Sequence, residues 1–259
     1  MRGCPRISRG ALIRATKLAM DLLLVCAAGL FAGTLSGIVG TGSSIILVPI
    51  LVVSFGPQQA VPIMAIAALI ANVSRILAWW REVDWRAAGV YAATAAPAAA
   101  LGAGTLLVLP ARFVEAVLGA FFIAMIGIRH WLAARSLKAR LPHLALFGAP
   151  IGFLTGLVAS TGPLSVPLFL AYGLVKGAFL STEAAGALAV YVSKAVVFRG
   201  LGALPLLVIL QGLIVGASLM VGTFIAKPFV QRLDPQHFRW MMDGIMLISG
   251  IALLWTALQ

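Results

Sequence analysis

The chain has 259 residues, of which 62% are hydrophobic and only 10% charged, and its mean hydropathy is +1.08. These values exclude an ordinary soluble domain and indicate one polytopic membrane domain embedded in a lipid bilayer. The net charge of +12 comes from basic residues in the N-terminal tail and between apolar segments, where they set topology, so it does not indicate nucleic-acid binding.

The apolar segments predict two successive sets of helices. Residues 1–17 form a basic tail that we expect to stay in the cytoplasm. The first half, residues 18–140, contains predicted segments at about 18–39, 44–56, 57–80, 87–109 and 113–132, with a polar loop at 81–86 and a basic loop at about 129–140. In the second half, residues 141–259, the first predicted segment begins at about 143, and four more cover about 164–175, 181–199, 204–227 and 238–257. The second segment of each half is too short to span a bilayer as a helix.

The two halves repeat one another in sequence. A glycine ladder, a small polar break and a proline recur about 119 residues later: Gly29, Gly33, Gly37, residues 40–44 and Pro49 correspond to Gly148, Gly152, Gly156, residues 160–163 and Pro167. Residues 65–75 align without gaps onto residues 184–194. We therefore predict an all-α polytopic protein made of two homologous repeats, with glycines that let helices approach closely in lipid.

The number of membrane crossings depends on the short segment of each half. An ordinary hairpin gives five crossings per half and inverted halves, whereas a broken or re-entrant short helix gives four net crossings and parallel halves. The second option places the tail, the 81–86 loop and the central basic loop in the cytoplasm, although it leaves Lys227, Arg232 and Arg239 outside. We expect about eight net crossings, with both termini cytoplasmic.

The two polar breaks are the predicted binding site. Interrupted helices at corresponding positions of two repeats are typical of transporter sites, because the N-terminus of the following helix offers free N–H groups to an anion. The alternative is an ordinary turn at the membrane surface. The candidate substrate-binding residues at the breaks are Thr41, Gly42, Ser43, Ser44, Ser160, Thr161 and Gly162.

Two cations occupy the same repeat position inside apolar helices, Arg75 and Lys194. Because a cation within a helix span costs about 2.5–3.5 kcal/mol on insertion scales, we predict that the pair neutralises a bound oxyanion; the alternative is snorkelling to the membrane surface. Asn72 and Tyr191, also equivalent, are predicted to line the pocket. Glu183 follows Ser181-Thr182 in an apparent first helical turn and is interpreted as interacting with the helix dipole, with proton coupling as the alternative.

Other classes of protein fit the sequence less well. An intramembrane hydrolase needs a base near Ser36 or Ser165, but His130, His143 and His237 fall at predicted helix edges or in loops. A membrane scaffold would explain the glycines but not the duplicated breaks. We expect no enzyme activity, cofactor or metal site, and Cys4 and Cys26 lack the spacing of a metal site or a disulfide.

Residues 29–44, with the sequence Gly-Leu-Phe-Ala-Gly-Thr-Leu-Ser-Gly-Ile-Val-Gly-Thr-Gly-Ser-Ser, and the run to Pro49 resemble the first signature of the sulfite exporter TauE/SafE family of membrane permeases. Residues 148–167 lie where that family has its second repeat. The chain differs in having Ser43-Ser44 where two further glycines are usual. The resemblance implies a duplicated multi-helix fold in a bacterial-type inner membrane. It also implies transport of small sulfur-containing anions such as sulfite or organosulfonates, driven by a proton or sodium gradient, with homo-oligomerisation left open.

Overall fold

The computed structural model describes residues 23–36, 43–133, 138–158, 162–226 and 235–258, and every regular element in these ranges is helical. The described helices are α1 (Leu23–Ser36), α2 (Ser43–Phe55), α3 (Pro57–Ala78), α4 (Trp85–Val108), α5 (Ala111–Ala133), α6 (Leu141–Val158), α7 (Gly162–Ala171), α8 (Lys176–Gly200), α9 (Leu206–Ala226) and α10 (Pro235–Leu258), with a 3-10 turn at Trp80–Glu82.

Most described helices agree with the predicted segments to within a few residues; the main exception is α8, which begins at Lys176 rather than at about 181. α2 and α7 have 13 and 10 residues, which confirms that the second segment of each half is too short to span as a helix. The predicted polar loop at 81–86 is partly helical, because the Asp84 carboxylate accepts a hydrogen bond of 2.9 Å from the Ala87 amide and so starts α4 at Trp85.

Five of the described helices are long and apolar enough to cross a bilayer: α3, α4, α6, α8 and α9. α3 is the most enclosed of them, with 67% of its spanning window buried, and α8 follows with 50%. α3 and α8 contact each other and each also packs against a helix of the other half, α9 and α4 respectively. These two helices therefore form the centre of the molecule.

The glycine ladders lie at helix crossings. A Cβ atom built on Gly152 of α6 would come within 2.6 Å of the Ala95 Cα in α4, and one on Gly33 of α1 would come within 2.8 Å of the Leu219 Cα in α9. Both distances are below van der Waals contact, so only glycine permits the observed approach. The prediction that the ladders serve close helix packing is confirmed for their described members.

The contacts also fix the relative directions of the helices. Along α4 and α6 the touching residues advance together, from Tyr91 with Gly148 to Ala95 with Gly152 and Ala99 with Gly156, so these helices are parallel. α8 is parallel to α4 as well: Thr182 contacts Asp84, Gly186 contacts Tyr91, and Ser193 donates a hydrogen bond of 2.7 Å to the Ala96 carbonyl. α4, α6 and α8 thus form one parallel set.

A second parallel set runs the opposite way. α9 packs beside α3, with Gly212 against Ile66 and Gly216 against Ile70, and beside α1, with Leu219 against Gly33. Its residue numbers rise with those of both neighbours, because Val215 also lies near Gly29 and Gly222 near Leu30 and Thr34. α1, α3 and α9 therefore share one direction.

The two sets are antiparallel to each other. The end of α3 packs on the beginning of α8, since Trp79 lies against Gly177 and Arg75 binds Glu183. α5 and α10 are also antiparallel, because Gly119 lies near Leu254 whereas Ile123 lies near Gly250.

Corresponding helices of the two halves therefore run in opposite directions: α1 and α6, α3 and α8, α4 and α9, and α5 and α10. Parallel halves with four net crossings each require these pairs to run in the same direction. That prediction is wrong, and the reason is that it relied on the distribution of basic residues, which does not determine how helices pack.

Candidate functional site

Arg75, in the last turn of α3, belongs to a buried polar network. One guanidinium nitrogen lies 2.9 Å from Oε2 of Glu183 in α8, and the other donates a hydrogen bond to Oδ1 of Asn72, one turn earlier on α3. Asn72 in turn donates to the Ala68 carbonyl at 2.8 Å. Arg75 is 7% exposed, Glu183 4% and Asn72 1%. The network joins the first half of the chain to the second through a desolvated ion pair.

The short helix α7 contributes a hydroxyl to this network. Ser165 Oγ, 4% exposed, donates a hydrogen bond of 3.0 Å to Oε1 of Glu183. Glu183 is therefore bound by a guanidinium from α3 and a hydroxyl from α7, which together stabilise a carboxylate that would otherwise be costly to bury.

Lys194 is the second buried cation, and it is fully buried. Its Nζ donates a hydrogen bond of 2.6 Å to the Thr155 carbonyl of α6 and lies 5.4 Å from the centroid of the Tyr191 ring and 5.9 Å from that of the Phe198 ring. Thr155 lies in the last turn of α6, where carbonyl groups carry the negative end of the helix dipole. The ammonium group is thus held by a helix end and two aromatic faces.

Each cation contacts the predicted pocket residue three positions before it. Asn72 bonds Arg75, and Tyr191 lies beneath Lys194, so the structure brings together both predicted pairs. It places the two pairs at different depths, because Glu183 and Lys194 are eleven residues apart on α8, which is about 16 Å along a helix axis.

Each cation also lies level with the end of a helix that precedes a polar break. Lys194 binds α6 three residues before its last described residue, Val158. For Arg75 the comparison runs through α9, whose Gly216 packs on Ile70 of α3 and whose Leu219 packs on Gly33 of α1. Because the three helices are parallel, Arg75, five residues after Ile70, is level with the last described turn of α1. One cation therefore lies level with the last described turn of each helix that leads toward a break.

α7 reaches only part of the way through the molecule. It extends about 15 Å at the rise of an α-helix, half the thickness of a bilayer core. The carbonyl of its last residue, Ala171, accepts a hydrogen bond of 2.8 Å from the Ala139 amide, beside the start of α6. Gly162, the predicted site residue that begins α7, therefore lies no further than about 15 Å from this end of the molecule.

The remaining predicted residues at the breaks are distributed as follows. Ser43 and Ser44 begin α2 and are both 8% exposed, as expected for residues that follow a break inside the protein. Four predicted site residues lie outside the described part of the chain: Thr41, Gly42, Ser160 and Thr161.

Two sequence interpretations need correction. Snorkelling does not describe Arg75 or Lys194, because both head groups bind partners inside the helix bundle. Glu183 is not a first-turn residue, since α8 begins at Lys176 and Glu183 is its eighth residue, in the third turn. A side chain there gains little from the helix dipole. Instead it forms the ion pair with Arg75.

Sequence reasoning missed Thr155 and the role of Ser165 in holding Glu183. Thr155 acts through a backbone carbonyl, which no side-chain pattern reveals. A signal for the ion pair did exist: Glu183 is the only carboxylate in the sequence between residues 141 and 233, and a carboxylate buried in such apolar surroundings needs a cationic partner.

The described contacts of His130 and His143 are with residues other than serine, so they do not form the histidine–serine pair that a hydrolase would use. His130 lies 3.3 Å from Asp243 and bonds the Ile126 carbonyl, and the His143 ring accepts a hydrogen bond from the Arg140 amide. No group of three or more His, Cys, Asp or Glu residues in the described ranges is arranged to hold a metal ion.

The helices and the buried charges define a multi-pass membrane protein with a polar interior, which is the class to which transporters belong. Residues 25–253 match the sulfite exporter TauE/SafE family, and the chain belongs to that family, as the resemblance of its glycine and break motifs indicated. The chain is also similar to the probable membrane transporter protein YjnA of Bacillus subtilis (strain 168), with 22% identity over 250 residues that cover 87% of this chain and 97% of the relative. No solved structure shows a significant match.

Proposed function

We propose that the chain is a secondary transporter that moves a small sulfur-containing oxyanion, such as sulfite or an organosulfonate, across the cytoplasmic membrane. The observation that carries this proposal is the charge of the interior. Among the described residues the buried charged side chains are Arg75, Lys194 and Glu183, two cations and one carboxylate, so the formal charge of the set is positive. Because an excess charge is costly in a low-dielectric interior, a bound anion would stabilise the protein.

The membership of the sulfite exporter family and the transporter relative support the same class of function. The buried cations have the chemistry that an oxyanion requires: a guanidinium matches a planar or tetrahedral oxyanion with several N–H donors, and an ammonium supplies a compact charge.

The architecture that we propose is a pair of inverted repeats, residues 18–140 and 141–259, each with five membrane segments. The opposite directions of corresponding helices support it, because an odd number of crossings in the first half inverts the second. In each half the short second helix returns the chain, so that the first and third helices, α1 and α3 or α6 and α8, point the same way. α2 and α7 are then the broken elements, and their N-termini point toward the pocket.

In this arrangement the anion has two binding positions, one at Lys194 and one at Arg75, each beside one polar break. Rocking of one repeat against the other would expose these positions in turn to the two sides of the membrane. We propose that a proton or sodium gradient drives the movement.

The direct test is transport in proteoliposomes. Labelled sulfite, sulfoacetate and taurine are offered to the purified protein under an imposed proton gradient, under a sodium gradient and without a gradient. Protein-dependent accumulation of at least one sulfur oxyanion is expected. If none of the three moves under any gradient, the proposed substrate class is wrong.

A matched pair of lysine variants tests the site. Lys194→Gln removes the buried ammonium, whereas Lys138→Gln removes an exposed one in the connection before α6. We expect Lys194→Gln to weaken sulfite binding at least tenfold, as for a lost charged hydrogen bond, and Lys138→Gln to leave it unchanged. Equal affinities in both variants would exclude Lys194 from the site.

A further inference from the structure

The Arg75 site is already filled by a carboxylate of the protein itself. Glu183 presents Oε2 to the guanidinium at 2.9 Å and Oε1 to the Ser165 hydroxyl at 3.0 Å. The guanidinium, with its several N–H donors, would equally suit an oxygen of a sulfite or sulfonate. Glu183 therefore occupies the position that an oxyanion bound to Arg75 would take.

This arrangement exists in one half only. The repeat position that corresponds to Glu183 is Met64, and the position that corresponds to Ser165 in the alignment of Pro49 with Pro167 is Leu47; both are fully buried. The duplication thus preserved a cation in both halves but an internal carboxylate and its hydroxyl donor in one.

We propose that Glu183 is an internal counter-ion that the transported anion displaces from Arg75. The inference rests on the proposed function and names the step that the Arg75 site contributes to it. In the absence of substrate, Glu183 neutralises Arg75 and Ser165 holds the carboxylate in place. When an oxyanion arrives it takes over the guanidinium, and Glu183 withdraws together with its bond to α7. Anion binding is thereby linked to the position of the short helix that follows the second break.

Neither member of the pair is completely sealed from its surroundings. The side chains of Arg75 and Glu183 are 9% and 5% exposed, in contrast to the fully buried Lys194. Displacement therefore starts from an ion pair that is buried but not completely enclosed.

The experiment uses Glu183→Gln in the full-length protein, purified in detergent with sulfite present throughout and then dialysed. This variant leaves Arg75 buried without its carboxylate, so it should be less stable than wild type without anion. Added sulfite should restore the thermal stability, and the Kd for sulfite should be about tenfold lower than that of wild type, because no internal carboxylate competes. The matched control is the double variant Arg75→Gln/Glu183→Gln, which should show neither the rescue nor the tighter binding.

A second variant keeps the test decisive if Glu183→Gln fails to fold. Ser165→Ala retains the ion pair and removes only the hydroxyl that holds Glu183, so it should lower the Kd for sulfite about twofold. An unchanged or weaker affinity in every single variant that folds, while wild type still binds and transports sulfite, would show that the ion pair is structural and overturn the displacement step alone. If wild type itself neither binds nor moves any sulfur oxyanion, the proposed function fails and the displacement step fails with it.

Discussion

Substitution of Gly152 by alanine tests whether the contact between α6 and α4 sets the stability of the molecule. The added methyl group would lie 2.6 Å from Cα and 2.7 Å from the carbonyl carbon of Ala95, where carbon atoms normally keep about 3.5 Å. Both neighbours are backbone atoms, so no side-chain rotation relieves the overlap and α6 must move away by about 1 Å.

We expect Gly152→Ala to cost about 1–3 kcal/mol of stability, the usual range for overpacking. For a chain of this size that corresponds to a lowering of Tm by about 2–12 °C. The assay is thermal unfolding of the purified protein in detergent, followed by fluorescence. Gly33→Ala, at the corresponding repeat position, should behave similarly because its methyl group would lie 2.8 Å from the Leu219 Cα.

The matched control is Gly104→Ala in α4. A Cβ at Gly104 meets no atom within 4 Å, and alanine is a better helix former than glycine, so this variant should be as stable as wild type or more so. If Gly152→Ala unfolds at the same temperature as Gly104→Ala, the close contact does not limit stability and the packing argument is refuted.

Two further predictions concern topology and capping. The first uses two variants without Cys4 and Cys26, each with one new cysteine, at position 138 or at position 202. These positions adjoin the start of α6 and the end of α8, which are parallel, so an impermeant maleimide should reach them from opposite sides of the membrane. Reaction of both from the same side would support parallel halves. Asp84→Ala should lower the stability by about 1 kcal/mol, measured as a lower Tm, since it removes the side-chain cap of α4; an unchanged Tm would show that the cap contributes nothing.

The order and lengths of the helices could be predicted from the sequence because they depend on local apolar runs. The positions of Arg75 and Lys194 were predictable for a related reason: a charge inside such a run is conspicuous in any single sequence. Neither property requires knowledge of which helices touch.

The start of α8 shows where local signals mislead. Ser181-Thr182 looks like a helix N-cap, but the helix begins at Lys176, after a turn in which Gly173 takes φ 104°, and it has no side-chain cap. The Thr182 hydroxyl instead accepts a hydrogen bond of 2.9 Å from the backbone amide of Asp84, the residue that caps α4. The same residue type serves both purposes, and only the fold distinguishes them.

The relative direction of the halves could not be read from charge. Basic residues lie at both ends of the described helices: Arg81, Arg86, Lys138 and Arg140 at the start of α4 and α6, and Arg112 and Arg199 at the end of α4 and α8. Such a distribution gives a weak bias toward either orientation. The direction is fixed instead by contacts between residues that are distant in the chain, from 57 positions apart for Ala95 with Gly152 to 186 for Gly33 with Leu219, for which one sequence carries no record.

The antiparallel packing of α3 and α8 leads to a last prediction, Met64→Glu. Arg75 of α3 binds Glu183 of α8. Eleven residues make about three full helical turns, so Met64, eleven residues before Arg75, lies on the same face of α3, and Lys194, eleven residues after Glu183, lies on the same face of α8. Because the two helices are antiparallel, these two positions should face each other. A glutamate at 64 should therefore pair with Lys194, whereas Met125→Glu, at another buried methionine, has no such register. We expect Met64→Glu to fold with a Tm closer to wild type than that of Met125→Glu, and to bind sulfite more weakly because its carboxylate occupies the second cation. Equal destabilisation of the two variants would show that position 64 does not face Lys194. The antiparallel register of α3 and α8 would then account only for the ion pair between Arg75 and Glu183.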